Sequence, residues 1–273
     1  MIAVRLWSCL KVAEKGQQLA VAVLASALLA AAVPAGPVPA SVTIIAHRGL
    51  AEGVPENTLI AFRQSIDRGV AVIEVDVRVT RDGQLVILHD ETLDRTTDCS
   101  GRLGALTLVQ MRGCDAGDGA RVPTFAEAII FIRDKPARLL LDIKPGTPLE
   151  QVVREIREHR VEAKVIVGLR RARDVARIRR ELPGATTLAF LPDVRDAPLF
   201  ADAGVHIIRL WSDWVEEDAG RVGHTQALGP EVWVMVGRRL PTKERAWRAL
   251  HARMIAAGAQ GLITDRPELI SPP

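Results

Sequence analysis

The sequence predicts an α/β chain folded as one TIM-type (β/α)8 barrel, with a short extra hairpin strand after the second strand. Three observations carry this. A chain of 273 residues with 48% apolar content is ordinary for a single such barrel. From Val42 onward, short β-branched runs alternate with longer amphipathic segments, without repeat or linker. Residues able to do chemistry stand at the ends of several of these runs, where barrel strands converge on one rim.

The first forty residues belong to another regime. Arg5, Lys11 and Lys15 precede an uncharged run from Leu19 to Val33, and Pro34-Ala35-Gly36-Pro37-Val38-Pro39-Ala40 follows. A basic start, an apolar stretch and small-x-small sites at Val33–Ala35 or Val38–Ala40 read as a secretory signal peptide over 1–40, ahead of a barrel domain at 41–273. The run is short for a membrane span, which needs about 20 residues. An uncleaved anchor at 19–33, touching the membrane, is the alternative. The protein is therefore expected in the periplasm or outside the cell. Losing Arg5, Lys11, Lys15 and Glu14 lowers the formal net charge from +3 to +1, which removes any long-range case for nucleic acid. The 30 Arg against 6 Lys lie along helical patterns with no aromatic interleaving, so they read as solvated faces. Cys9 leaves with the signal. Cys99 and Cys114 remain as an even pair in an oxidising compartment, where a disulfide is expected and two free thiols are the alternative.

Strands are expected at Val42–Ala46, Val72–Val79, Leu85–His89, Arg138–Ile143, Lys164–Leu169, Thr186–Leu191, Val205–Leu210, Val232–Val236 and Gly261–Thr264. Helices are expected at Asn57–Arg68, Thr124–Arg133, Leu149–His159, Ala172–Glu181 and Thr242–Ala257, with Thr124 and Glu127 spaced as a capping box. One strand is surplus to a barrel. Only Thr80-Arg81-Asp82-Gly83-Gln84 separates the second run from the third, too few residues for a crossover helix, and Asp82-Gly83 signals a hairpin. Leu85–His89 is thus an antiparallel return or an irregular barrel strand. A doubly wound open sheet is the rival fold, weakened because no Gly-rich phosphate loop follows the first strand.

Chemistry gathers at the strand ends. His47-Arg48-Gly49 closes the first run, and His89-Asp90 the third. Glu74 and Asp76 share one strand face at i and i+2, as do Asp142 and Lys144. Two acids on an interior face are costly unless they hold a cation or pair with bases, so a metal or an interior salt bridge to Arg48 or Arg78 follows. Asp142 offers a third oxygen and Lys144 a point charge for phosphate, or the two form a plain buried ion pair.

An ordered series of motifs then stands out: His47-Arg48-Gly49, Pro55-Glu56-Asn57-Thr58, Glu74-Val75-Asp76-Val77, Thr80-Arg81-Asp82-Gly83, His89-Asp90, Leu93-Asp94-Arg95-Thr96-Thr97, Pro123-Thr124-Phe125-Ala126-Glu127, Trp233-Val234-Met235-Val236 and Gly261-Leu262-Ile263-Thr264-Asp265-Arg266-Pro267. The chain resembles the glycerophosphodiester phosphodiesterase family, within the phosphodiesterase barrel group that includes phosphatidylinositol-specific phospholipase C. The resemblance implies a site at the C-terminal rim, one divalent cation (Mg²⁺ or Ca²⁺), and hydrolysis of glycerophosphodiesters to an alcohol and glycerol 3-phosphate. It implies His47 and His89 as the acid/base pair, Glu74 and Asp76 as metal ligands, and Arg48 as a phosphate-binding residue. Trp233 is expected to wall the glycerol or leaving group, with a core aromatic as the alternative.

Three departures from the family pattern matter. Asp142 stands where Glu is usual, Gly168-Leu169 where Ser-Phe is frequent, and Trp233-Val234-Met235-Val236-Gly237 in place of Trp-Thr-Val-Asn. The lost hydroxyl and amide make lysophospholipids plausible beside free glycerophosphodiesters. The expected mechanism has Glu74, Asp76 and Asp142 on the metal, Arg48 and Lys144 on the phosphate, and the two histidines dividing proton transfer. The rivals are a phospholipase D-like enzyme acting on lysophospholipids or sphingolipids, and a non-catalytic barrel binding phosphorylated ligands. His159, His206, His224 and His251 are expected to be structural. Asp265 is expected to fix a turn before Pro267, and Trp211 and Trp214 to line the mouth or pack within loops.

Overall fold

The computed structural model describes residues 42–49, 53–237 and 240–270. The segment read as a signal peptide or anchor lies outside them. Among the described residues, no helix is long and apolar enough to cross a membrane.

The β-branched runs form strands β1 (Thr43–Ala46), β2 (Val72–Val79), β3 (Leu85–Ile87), β4 (Arg138–Ile143), β5 (Val165–Leu169), β6 (Thr186–Phe190), β7 (Ile207–Trp211), β8 (Glu231–Met235) and β9 (Gly261–Thr264). Parallel pairing runs β2–β4–β5–β6–β7–β8–β9, and β1 closes the circle by pairing with both β9 and β2. The barrel is therefore eight-stranded. The surplus strand β3 pairs antiparallel with β2, in the register Val79↔Leu85, as the Asp82-Gly83 turn predicts.

Period-2 alternation sorts the side chains. Ile45, Val72, Leu140, Ile166, Leu188, Ile207, Trp233 and Ile263, one from each barrel strand, fill the interior. The opposite faces pack against helices α1 (Leu59–Asp67), α3 (Phe125–Ile132), α4 (Leu149–Glu158), α5 (Ala172–Glu181) and α9 (Glu244–Ala256). Two residues nearer the C-terminal end, the inward positions turn charged. Val72 leads to Glu74 and Asp76, Leu140 to Asp142, and Ile207 to Arg209, all of them buried. The barrel is apolar below and ionic above.

Between β3 and α3 the chain makes an excursion containing α2 (Leu108–Met111). It has its own small core of Leu93, Leu103, Met111, Ala120 and Val122, closed by the Cys99–Cys114 disulfide. Strand β3 is the seam between two cores: Leu85 and Ile87 face the main one, while Val86 faces the excursion's. The capping box at α3 forms, with Glu127 N donating to Thr124 Oγ1 at 3.1 Å and Thr124 N to Glu127 Oε2 at 2.8 Å.

Two sequence expectations are corrected. Helix α1 starts at Leu59 rather than Asn57, because Thr58 caps it and Asn57 takes a left-handed conformation (φ 57°). Short helices α6 (Ala197–Asp202), α7 (Ser212–Glu217) and α8 (Gly220–Gln226) occupy segments where no helix was expected. Pro198 begins the first and Gly220 and Gly223 lie in the last, so their propensity is low and packing decides.

Candidate active site

The chain leaves β1 through a tight turn. Arg48 is left-handed (φ 56°) and so is Gly49 (φ 79°), where an added Cβ would lie 2.7 Å from Ala61 Cβ on α1. Glycine is required there on both counts. The turn aims Arg48 N at Glu74 Oε2, 3.0 Å away, and sets His47 Nε2 3.8 Å from the same oxygen.

Glu74, Asp76 and Asp142 present oxygens within 4.8 Å of one another, all three residues buried. Asp142, a methylene shorter than the glutamate usual there, still reaches the cluster. Lys144 Nζ lies 2.6 Å from Asp76 Oδ1 and 2.7 Å from Asp142 Oδ2, Arg170 pairs with Asp142 Oδ1, and Arg48 Nε lies 3.6 Å from Asp76 Oδ2. Asn57 holds the other side of Asp76, donating Nδ2 to Oδ2 at 2.8 Å. Arg78 turns away and donates to the His89 carbonyl at 2.8 Å.

Electrostatics split the acids. Burial and then the neighbouring Asp76 push Glu74 up to about 8. Burial also pushes Asp76 upward, but Lys144, His89 and Arg48 outweigh it and hold Asp76 below the usual carboxylate range. Lys144 is penalised by burial, yet Asp76 and Asp142 raise it. Lys144, Arg48 and Arg170 reach Asp76 and Asp142, while Glu74 meets the Arg48 backbone N–H and His47. A buried, all-oxygen donor set of this kind suits a hard divalent cation.

Each histidine is tied to a carboxylate through Nδ1. His47 Nδ1 and Asp265 Oδ1 are 2.5 Å apart, and His89 Nδ1 and Asp90 Oδ1 are 2.6 Å apart. An ionised carboxylate can only accept, so Nδ1 carries the proton in both rings. Burial pulls His47 down, but the Asp265 hydrogen bond and the Glu74 charge overcome it and raise the ring above its ordinary value. At His89, burial outweighs Asp76 and Asp90 and lowers it. Asp265 is held low by His47 against the pull of burial.

A cavity of about 400 Å³ opens beside these groups, lined by His47, Arg48, His89, Asp142, Lys144 and Asp265 on one side, and by Phe190, Arg209, Trp211, Met235, Val236 and Leu240 on the other. Trp233 is not on that wall. Parity puts it inward, but one layer too low: it is 3% exposed, stacks on Gly261 and donates its indole N–H to Glu231, at the strand's N-terminal end. The wall expected of Trp233 comes from Met235, two residues on, with Phe190 and Trp211. Trp214 packs against the main core. The departure at Gly168 has a steric counterpart, since a Cβ there would lie 2.2 Å from Phe190 Cε2. Phe190 fills the space that a serine would need.

Several site residues escape the sequence reading. Asp265 is the partner of His47, and the turn after it is held by Thr264 Oγ1, which accepts from Arg266 N at 3.0 Å. Asn57, Glu56, Asp90 and Arg95 lay within quoted motifs, which were the available signal. Arg170 and Arg209 share inward parity with Gly168 and Ile207. Of the other histidines, His206 Nδ1 meets Thr187 and His251 meets Thr264, outside the cavity.

Comparison with known proteins finds relatives in sequence and in fold. The first relative, a glycerophosphodiester phosphodiesterase of Caldanaerobacter subterraneus subsp. tengcongensis, is 40% identical over 137 residues, which cover 46% of this chain and only 56% of that protein. A Bacillus subtilis relative is 28% identical over 244 residues, 83% of this chain and 96% of its own length. Among solved structures, a glycerophosphoryl diester phosphodiesterase from Parabacteroides distasonis superposes with a TM-score of 0.73 at 23% identity, covering 83% of each chain. An Oleispira antarctica phosphodiesterase, solved in complex with its product sn-glycerol-3-phosphate, gives 0.68 at 21% identity over 83% of this chain and 94% of its own. The glycerophosphoryl diester phosphodiesterase family model spans residues 47–269, from the first site histidine to a point beyond Asp265, and the chain belongs to that family.

Proposed function

We propose that the protein hydrolyses glycerophosphodiesters to an alcohol and glycerol 3-phosphate, using a divalent cation and two histidines. One observation carries the reading. Two imidazoles, each oriented by its own carboxylate, share one cavity at the C-terminal rim with Arg48, Lys144 and Asp142, the last a member of the buried three-acid cluster. The family, and the product bound in the Oleispira relative, support the substrate class.

Arg48 and Lys144 bind the phosphate and balance its charge. With Nδ1 engaged, Nε2 is the working nitrogen of each ring. One ring takes the proton of the attacking oxygen, water or a substrate hydroxyl, and the other protonates the departing alkoxide. Glu74, Asp76 and Asp142 would hold the cation, Mg²⁺ or Ca²⁺, which would supply Lewis-acid polarisation. Phe190, Trp211 and Met235 exclude water from the opposite side.

The test is glycerol 3-phosphate release from glycerophosphocholine, with EDTA and then with added Mg²⁺ or Ca²⁺. Metal-restored release is expected. Absence of release under every metal refutes the reaction. A second reading, cleavage of lysophospholipids, is favoured by the apolar wall of Phe190, Trp211, Met235, Val236 and Leu240. A faster rate on lysophosphatidylcholine than on glycerophosphocholine would select it.

We also propose export, from the basic-then-apolar pattern of residues 1–40. A disulfide between Cys99 and Cys114 suits an oxidising compartment. N-terminal sequencing of protein from the periplasm or medium distinguishes a cleaved signal from a retained anchor.

A further inference from the structure

The Leu93-Asp94-Arg95-Thr96-Thr97 motif has no part in the chemistry assigned above, yet its arginine holds two working groups together. Arg95 Nε donates to Asp90 Oδ2 at 2.6 Å. Its Nη1 and Nη2 donate to Glu56 Oε2 and Oε1 at 2.8 and 2.7 Å, a two-pronged pairing. The far oxygen of Asp90 meets His89 Nδ1 at 2.6 Å, and Glu56 Oε1 also accepts from Arg48 Nη1 at 3.1 Å. A continuous chain therefore runs His89–Asp90–Arg95–Glu56–Arg48. Its members come from three separate segments: the end of the hairpin, the excursion, and the loop joining β1 to α1.

The geometry points to Arg95 as a positioning residue that fixes the proton-transferring His89 relative to the phosphate-binding Arg48. The inference rests on the phosphodiesterase reading above. Arg95 is not among the residues that line the cavity of His47 and His89. It acts through the two carboxylates it bridges: the Arg95 hydrogen bonds are the chief influence lowering Asp90 and Glu56 below their ordinary range, against the pull of burial. The base of Arg95 is firm, since Leu93 is fully buried in the excursion core and accepts a hydrogen bond from Thr97 Oγ1 at 2.9 Å.

A purely structural role predicts something different. The Arg95 side chain is 47% exposed, and exposed ion pairs add little to folding stability. Misplacing a reacting group by about 1 Å, by contrast, costs on the order of 10²-fold in turnover. Loss of Arg95 should therefore be felt in kinetics and not in folding.

The test uses the full chain with R95Q and R95K, measuring kcat and KM on glycerophosphocholine, inhibition by glycerol 3-phosphate, and thermal unfolding. For R95Q, kcat is expected to fall about 10- to 100-fold and product inhibition to weaken several-fold, with little change in Tm. R95K keeps the charge without the fork and should recover only part of kcat. Because the chain fails wherever it is cut, R95Q/D90N should be no more than about twofold below R95Q. Wild-type kcat in either folded variant, or multiplicative losses in the double variant, overturns the inference. If the wild-type enzyme releases no product, the assigned reaction fails but this inference is still read. In ¹⁵N-histidine-labelled protein the His89 Nδ1 proton is expected to lose its downfield resonance in R95Q, and its persistence overturns the positioning role.

Discussion

Replacing Asp265 with Asn isolates the tie that holds His47. The change keeps shape and volume but removes the charge 2.5 Å from Nδ1. Two things follow from the geometry. Burial of His47 is then offset by Glu74 without Asp265, so the ring is driven toward its neutral form. The amide can also turn its NH₂ to the ring, which puts the proton on Nε2 instead of Nδ1. A hydrogen bond to a charged group contributes about 1.5–3 kcal/mol, and at about 1.4 kcal/mol per decade this is roughly a 10- to 150-fold loss in kcat. Asp265 is one-quarter exposed, which favours the lower part of that range. KM should move little, because Arg48 and Lys144 are untouched. The assay is steady-state turnover of glycerophosphocholine with saturating metal. D265N turnover within about twofold of wild type would refute the orienting role. A large KM rise at unchanged kcat would instead make Asp265 a substrate contact.

Three further outcomes are expected. Lys144→Met leaves Asp76 and Asp142 without their shared ammonium, and breaking a buried pair costs about 3–5 kcal/mol. Urea unfolding without metal should show a loss near the lower figure, since Arg48 and Arg170 remain, and equal stability would dismiss the bridging role. Gly168→Ser should destabilise by about 1–3 kcal/mol, because its Cβ collides with Phe190 and with Leu141 O, while a second change of Phe190 to Leu recovers part of the loss. If G168S unfolds at the wild-type denaturant midpoint, the packing explanation of this family departure is lost. Burial holds His251 down at about 4, below its unfolded value of 6.5. A base with a depressed folded pKa contributes stability that is complete above pH 6.5 and is lost as pH falls toward 4, by up to about 3 kcal/mol. An H251F variant should lack that part of the acid sensitivity, and an unchanged stability–pH curve would count against it.

How much of this was legible beforehand depended on distance along the chain. Glu74 with Asp76, and Asp142 with Lys144, were readable because strand parity fixes which side chains share a face, and those faces do converge. The hairpin was readable from five residues between two runs. Height within the barrel was not: the motif around Trp233 suggested a wall residue, but nothing in it said that the ring sat a layer below the cavity. Long-range pairs were equally hidden. His47 and Asp265 stand at opposite ends of the chain and meet only because β1 pairs with β9. Asn57 reads as a helix start until Asp76 is seen to hold its side chain, and α6 to α8 carry too little intrinsic propensity to announce themselves.

Strand β3 sits between two hydrophobic interiors that fold around separate sets of residues, and only Leu88 separates it from His89. The placement of that ring is thus a compromise struck by both. Slack in either interior, from a lost methyl on Ile87 or on Val86, displaces the same imidazole from opposite sides. The excursion is also the smaller of the two and relies on its Cys99–Cys114 link. Warming or reduction should therefore silence the enzyme while the barrel's helices and the buried carboxylates Glu74, Asp76 and Asp142 are still in place, so that catalytic failure reports on the appendage and not on the barrel.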